Sequence, residues 1–405
     1  MSTGPLGGVT VLAAEQMHAL PHATQLLACM GAEVIKVEAP GGESGRASKP
    51  TLRDRDGRET GSTFIRNNLG KSSIAINLKR EAGRELFLRL ARGVDVVAEN
   101  FRPGTADRLG IGFDAIRALH PAVVYVSISG FGNRSDPPSP YREWAAYAPI
   151  VEGMSGLFEY SRNDDDPPRP ALAGALGDTA AGLYASIGVL AALRDRDRTG
   201  KGCRVDISMY DSMIAVADVV HPSSMGVEPN RTLEGIGILH AFRAKDGWFT
   251  VEVVREPHFP RFATAVGHPE WLEDERLSTR AGWSHHMEDV IRPGVEAWAA
   301  EIGKLEAATR LAEAGVASGP VNNAQDIRND PHVKARSFLH EIETGDRAEP
   351  VAVVGNPIAF QPALPEPREP ARWPTVGEHT EQVLSERLGL DAGEIRALRE
   401  EGCIE

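Results

Sequence analysis

Of the 57 acidic residues in the chain, Asp178 has the most unusual setting. It lies in "GALGDTAAGLYASIGVLAAL" (174–193), at the mouth of an apolar stretch, with Gly174, Ala175, Gly177, Ala180, Ala181 and Gly182 around it. Two roles suit a carboxylate placed there. As an N-cap, its oxygen accepts from amides two or three residues further on. As a ligand-facing group, it would use the bare surroundings as space for close approach, which is a common use of glycine. The two are compatible. A helix N-terminus favours the charged form of a carboxylate, and a charged carboxylate is a feeble base but a usable nucleophile toward an activated acyl carbon. Free amides nearby would stabilise the oxyanion formed by its attack. The chemistry indicated is acyl transfer through an anhydride rather than proton abstraction.

Other polar residues cluster where strands end. His18, in "EQMHALPH", is either a partly exposed loop histidine or a contact for a ligand lying over a sheet edge. No G-x-G-x-x-G occurs there, which counts against a nicotinamide dehydrogenase. "ENFRPGTADRLG" (99–110) carries Asn100, Arg102 and Arg108, either as a solvated turn or as partners for phosphates. Lys71 and Lys79 add positive charge near strand ends and strengthen the anionic-ligand reading. The adjacent histidines of "SHHMED" do not share a helix face and read as surface residues. Cys29, Cys203 and Cys403 are odd in number and widely spaced, indicating neither a disulfide framework nor a zinc site.

The elements that would hold these groups follow from the hydrophobic pattern. "GVTVLAA" (8–14), "AEVIKVEAP" (32–40), "SSIAINL" (72–78), "DVVAENF" (95–101) and "AVVYVSISG" (122–130) read as strands. Helices are expected over 21–30, 79–93 and 113–120, and a later one from about Thr179 to Arg194 with Leu183, Ile187, Leu190 and Leu193 on its apolar face. "CRVDISM" (203–209) adds a strand. Strands alternating with helices imply an α/β fold, a parallel sheet covered on both faces. Ligands on such sheets lie beyond the carboxyl ends of the strands, so "AEQMHALP" and "ENFRPG" are the loops to watch. From about 225 to 330 helical, Trp-bearing segments dominate and suggest a smaller domain, while "PALPEPREPARWP" (362–374) reads as an extended linker.

The totals exclude several classes. With 405 residues the chain is long enough for two or three domains, and 41% hydrophobic content is ordinary for a globular protein. A formal charge of −13 argues against a nucleic-acid groove. No signal peptide is read at "MSTGPLGGVTVL", and no apolar run is expected to reach membrane-spanning length, so no membrane partner and a cytoplasmic location are expected.

Taken in order, "PLGGVTVL", "LLACMGAEVIKVEAPGG", "NLGKSSIAINLK", "VVAENFRPGTADRLGIG", "VYVSISGFG", "EGMSGL", "GDTAAGLYASIGVLAAL", "RTGKGCRVDISMYDSM", "ASGPVNNAQDIRNDPHV" and "GEHTEQVL" resemble family III CoA-transferases. That group also contains the α-methylacyl-CoA racemases. The resemblance implies a Rossmann-like large domain with a parallel sheet, a smaller discontinuously inserted domain, and two chains interlocked as a homodimer. Applied to this chain, residues 1–210 form the N-terminal part of the CoA-binding domain, 225–330 the small domain, and 335–405 a segment returning to the large one.

The same resemblance implies a ping-pong path with Asp178 as nucleophile, through aspartyl anhydride and aspartyl-CoA. Acyl-CoA and a carboxylic acid are the substrates; CoA is the carried group, with no permanently bound cofactor and no metal. Position by position it assigns CoA contacts to His18, Ala19, Ile76, Lys79, Asn100, Phe101 and Arg108, and substrate contacts to Tyr147, Gly235 and Gly237. His18 stands where the family often has glutamine, and the glycine-rich lid shrinks to "EGIGIL". Racemases carry a catalytic histidine at the position of Tyr147, whose phenol is a poor base at neutral pH, so a transferase is expected over a racemase. A non-catalytic acyl-CoA-binding protein is the third reading, and a carboxylate beside a thioester weighs against it.

Overall fold

The computed structural model describes residues 4–53, 57–133, 137–161, 166–170, 174–226, 235–342, 344, 350–361 and 372–405. The chain divides into two compact units, Met1–Met225 with Ser337–Glu405, and Gly226–Arg336. The linker expected over 362–374 falls largely outside the described residues, although Trp373 at its end is buried.

The first unit is built on a six-stranded parallel sheet. Its strands are β1 (Thr10–Ala14), β2 (Glu33–Glu38), β3 (Ser72–Ala75), β4 (Val96–Glu99), β5 (Val124–Ser129) and β6 (Arg204–Ser208). The helices that matter for the site are α1 (Ala19–Cys29), α2 (Glu81–Ala91), α3 (Ala148–Met154), α4 (Leu176–Thr199), α5 (Met209–Ala217), α6 (Thr380–Leu388) and α7 (Ala392–Glu400). Side chains alternate across a strand, and that alternation divides β1 between two apolar layers. Val11 and Ala13 pack with Leu20 and Leu27 of α1, Ala181 and Ala185 of α4, and Met213 of α5. Leu12 and Ala14 pack with Phe87 and Leu90 of α2 and with Leu384 and Ile395 of the two C-terminal helices. Burial on both faces is why these strands read as almost unbroken apolar runs.

The strand order is β3-β2-β1-β4-β5-β6. The chain therefore builds outward from β1 in one direction, then returns to place β4 on its other side. Loops leaving neighbouring strands at such a reversal diverge and open a crevice. The C-terminal segment closes the unit at the β3 edge. Thr380 Oγ1 accepts from Ala75 N–H at 3.1 Å, Asn77 N–H donates to Cys403 O at 2.8 Å, and Ile404 bridges Ile76.

Helix α4 departs from expectation in two ways. It starts earlier and ends later than Thr179–Arg194, and the face aimed at the core is not the leucine face. Ala180, Ala181, Ala185 and Val189 are buried, whereas Leu183 and Ile187 are 47% and 61% exposed. Small residues win the core position because α1 packs too close for leucine. By length and composition α4 is also apolar enough to cross a membrane, against expectation, yet half of that window is buried in the unit. It is a core helix.

The second unit is organised on a three-stranded antiparallel sheet of β7 (Ile238–Ala244), β8 (Gly247–Val253) and β9 (Ala317–Pro320). Phe242, Phe249 and Val251 face a core with Phe262, Trp283, Ile291 and Leu311 from its surrounding helices.

Candidate active site

The loop leaving β1 is held from below by buried charge. Lys71 Nζ donates to Glu15 Oε1 at 2.8 Å, Thr24 Oγ1 at 2.7 Å and Pro21 O at 3.0 Å. Lys36, also buried, donates to Glu15 O at 3.2 Å and lies 3.5 Å from Glu43 Oε1. Lys71 is thus a structural cation rather than a ligand contact, which corrects the sequence expectation. Glu43 Oε2 in turn accepts from Met17 N–H at 3.1 Å, and Met17 holds a left-handed φ of 62°. From the neighbouring β4 loop, Asn100 clamps the same turn from the other side. Its Oδ1 accepts from Gln16 N–H and its Nδ2 donates to Gln16 O, both at 2.9 Å. Both polar atoms of Asn100 are therefore spent on positioning the crevice.

Asp178 is the third residue of α4 and not its cap, since the N-cap position belongs to Ala175. Two of the glycines beside it, Gly177 and Gly182, serve packing. A Cβ on Gly177 would meet Val151 Cγ2 at 2.7 Å, and one on Gly182 would meet Ala19 O at 2.7 Å. That close approach of α3 and α1 brings two groups to the Asp178 carboxyl. The Ala19 amide faces it and favours its charged form, and the charge of Glu152 lies near it. Glu152 is buried, with Oε1 accepting from Gly177 N–H at 3.0 Å. Burial, followed by repulsion from Glu152, raises the Asp178 carboxyl from 3.8 to about 6, against the pull of the Ala19 amide. Desolvation outweighs the helix terminus here, opposite to the expectation from position alone. At neutral pH most of the carboxyl is still ionised.

Two cavities flank the divergent loops. One, of about 210 Å³, reaches Asp178 and is lined by the expected residues His18, Ala19, Asn100, Phe101 and Tyr147. The other, of about 370 Å³, is lined by Ile76, Lys79 and again Phe101. Gln16 and Phe101 line both, so the cavities lie on either side of these β1 and β4 loop residues. Arg108 lines neither. It is exposed on the short helix Thr105–Arg108, donating to Thr105 Oγ1 at 2.8 Å, and both Thr105 and Leu109 line the larger cavity. Gly235 and Gly237 belong to the second unit, at the entry to β7; a Cβ on Gly237 would meet Val253 O at 2.3 Å.

His18 is buried rather than partly exposed, with Nε2 3.3 Å from Thr179 Oγ1 and Nδ1 3.5 Å from Asn67 Nδ2. Burial first, and then the charges of Arg66 and His22, push it down to about 4, so it is an uncharged imidazole at neutral pH. Sequence reasoning overlooked Gln16, Ser129 and Glu152. Only Glu152 left a trace, as a lone acid in the apolar run "YAPIVEGMSGL". Among the described residues no group of three or more His, Cys, Asp or Glu could hold a metal ion.

A crevice at the strand reversal, with a carboxyl at one end and a lysine at the other, suits a long anionic thioester. A sequence profile of CoA-transferase family III matches residues 6–380. The chain belongs to that family. As a family III CoA-transferase it is an enzyme that moves CoA between acyl-CoA and carboxylates. It is 32% identical over 395 residues to a succinyl-CoA:mesaconate CoA-transferase of Haloarcula marismortui, covering 96% of this chain and 98% of the relative. It is 30% identical over 426 residues to a formyl-CoA:oxalate CoA-transferase of Streptomyces coelicolor, covering both chains fully. The crystal structure of a CAIB/BAIF family protein from Brucella suis superposes with a TM-score of 0.83 at 30% identity, over 96% of this chain and 100% of that one. For a CoA-transferase, the two neighbouring cavities, one lined by Lys79 and the other by Asp178, are the features that matter.

Proposed function

We propose that Asp178 is the nucleophile of a ping-pong CoA transfer, with the unit of 1–225 and 337–405 as the CoA-binding domain. The observation that carries this reading is the adjacent pair of cavities, one lined by Asp178 and the other by Lys79. CoA lies across the two loops, its phosphates toward Lys79 and Arg108, its pantetheine past Phe101, and its thioester at Asp178. A carboxylate oxygen of Asp178 attacks the donor acyl carbon, the C–S bond breaks, and CoA leaves as the thiolate. The thiolate attacks the Asp178 carbonyl carbon of the anhydride, releasing the donor acid and leaving aspartyl-CoA. The acceptor carboxylate then attacks that carbon, the thiolate departs again, and it finally attacks the acceptor acyl carbon, freeing Asp178 and the new acyl-CoA. The Ala19 amide already favours the charged form of this carboxyl. It remains in place to stabilise the oxyanion formed at the Asp178 carbon. Binding of CoA as a carried group requires no metal in this scheme.

Two chains form an interlocked homodimer that acts in the cytoplasm. Leu183 and Ile187, exposed along α4, support a partner surface. A solution mass of one chain, measured by light scattering, would sink that part of the reading.

The nucleophile is tested by mixing the protein with a panel of acyl-CoA esters and quenching with hydroxylamine. Mass spectrometry is expected to find a hydroxamate on Asp178, and Asp178→Ala to be inactive. Full activity of Asp178→Ala overturns the mechanism.

A further inference from the structure

We propose that Glu43 is a positioning residue that ties the turn Met17–Ala19 to occupancy of the larger cavity, so that the nucleotide end of CoA speeds the chemistry at Asp178 as well as holding the substrate. This rests on the transferase reading and on the placing of CoA over both cavities. Glu43 stands in the turn that follows β2, and with Gly42 and Ser44 it lines the larger cavity. Met17, His18 and Ala19 line the smaller one. One side chain links the two walls. Glu43 Oε2 accepts from Met17 N–H at 3.1 Å and also from Gly45 N–H, so a single carboxylate oxygen holds both turns. The side chain is 5% exposed, and its other oxygen faces the buried Lys36 ammonium at 3.5 Å. Hydrogen bonds to an ionised acceptor are the strong ones, and burial strengthens them further.

Met17 needs such a bond. Its φ of 62° lies in the left-handed region, which is costly for any residue with a Cβ. Without a fixed acceptor the residue would relax towards negative φ and swing the chain that follows. Two residues on is the Ala19 amide, which faces Asp178 and favours its charged form. Gln16, just before, is fixed separately by both polar atoms of the Asn100 amide, so the loosened span would begin at Met17. On the far side of the link, Gly41 and Gly42 have φ of 87° and 90°, and Ser44 is exposed. The turn bearing Glu43 is thus entered through two glycines, and a ligand seated against Gly42 and Ser44 restrains it. Binding energy from a remote, unreacting part of the substrate is then used at the reacting centre.

The test uses the full-length enzyme and an acyl group whose CoA ester labels Asp178 in the presence of hydroxylamine. The same acyl group is offered as its pantetheine thioester, which lacks the nucleotide, with and without adenosine 3′,5′-bisphosphate. Labelling rates are read by mass spectrometry and binding of the nucleotide fragment by calorimetry. In the parent, saturating adenosine 3′,5′-bisphosphate is expected to raise the rate with the pantetheine thioester by about fivefold or more. Glu43→Ala should still bind the fragment yet lose this stimulation, and its labelling rate at saturating acyl-CoA should fall about tenfold or more. Glu43→Gln retains an acceptor for Met17 and should keep the stimulation. Because Glu43→Ala leaves the buried Lys36 charge less well matched, the measurement is repeated with Lys36→Met added. No stimulation in the parent, or equal stimulation in the parent and Glu43→Ala, overturns the proposal while the transferase reading stands. If no CoA ester labels Asp178, the transferase reading itself falls and takes this proposal with it.

Discussion

Glu152 Oε1 accepts a hydrogen bond from the Gly177 amide at 3.0 Å, one residue before Asp178, from a helix 25 residues earlier in the chain. The bond satisfies an otherwise free amide in the first turn of α4, and its acceptor is a buried anion beside another carboxyl. Glu152→Gln keeps an acceptor for Gly177 and removes the repulsion. The Asp178 carboxyl should then titrate below its present value of about 6. In the proposed mechanism the ionised form attacks, so the acid limb of the kcat/KM profile should move to lower pH. An unmoved limb would show that Glu152 does not tune the nucleophile.

The same elevation is a stability effect. The folded-state value of Asp178 lies above the ordinary carboxyl value of 3.8, so the folded protein holds this proton more tightly than the unfolded chain. The associated stability is complete below about pH 4 and lost as the pH rises through about 6. Asp178→Asn should therefore be more stable than the parent by about 1 to 3 kcal/mol at pH 7 and indistinguishable at pH 4. Urea unfolding at both pH values measures it.

Glu99 lies at the end of β4, beneath the loop shared by both cavities, and its Oε2 accepts from Phe101 N–H at 2.9 Å. Burial raises its carboxyl from 4.5 to about 7, overriding the Phe101 amide and Arg204. Stability from this group is full below about pH 4.5 and declines as the pH passes about 7. Glu99→Gln preserves an acceptor for Phe101 and should flatten that decline in a melting-temperature series from pH 5 to 9. A slope equal to that of the parent would remove Glu99 as its cause.

At Gly182 two effects oppose each other. Alanine within a helix is favoured over glycine by about 1 kcal/mol. The added Cβ would meet the Ala19 carbonyl at 2.7 Å, a backbone atom unable to swing aside. Overpacking of this kind costs about 1 to 3 kcal/mol and moves the Ala19 amide away from Asp178. Gly182→Ala is expected to lose both stability and kcat; a gain in melting temperature with unchanged kcat would show that α1 yields freely.

Much of the fold was legible because its signals are local. The strands from Thr10–Ala14 to Arg204–Ser208 lie inside the runs read from β-rich patterning, and "AEQMHALP" and "ENFRPG" flank the crevice as expected of strand-end loops. The errors share a cause. Lys71 looked like a ligand cation and is paired with Glu15, 56 residues away. Gly177 and Gly182 looked like room for a ligand and are spent against α3 and α1. Leu183 and Ile187 looked like core and are exposed. In each case the neighbour that decides the role is distant in the chain.

Residue order alone therefore settled the α/β alternation, the strand-end loops that flank the crevice and the nearness of Asp178 to a helix N-terminus, although that helix begins two residues before Asp178 rather than after it. Folding in three dimensions decided that β4 lies beside β1, that Glu152 stands near Asp178, and that His18 is buried and uncharged. Backbone periodicity is set within a few residues. Strand order, desolvation and charge pairing depend on which distant surfaces pack together.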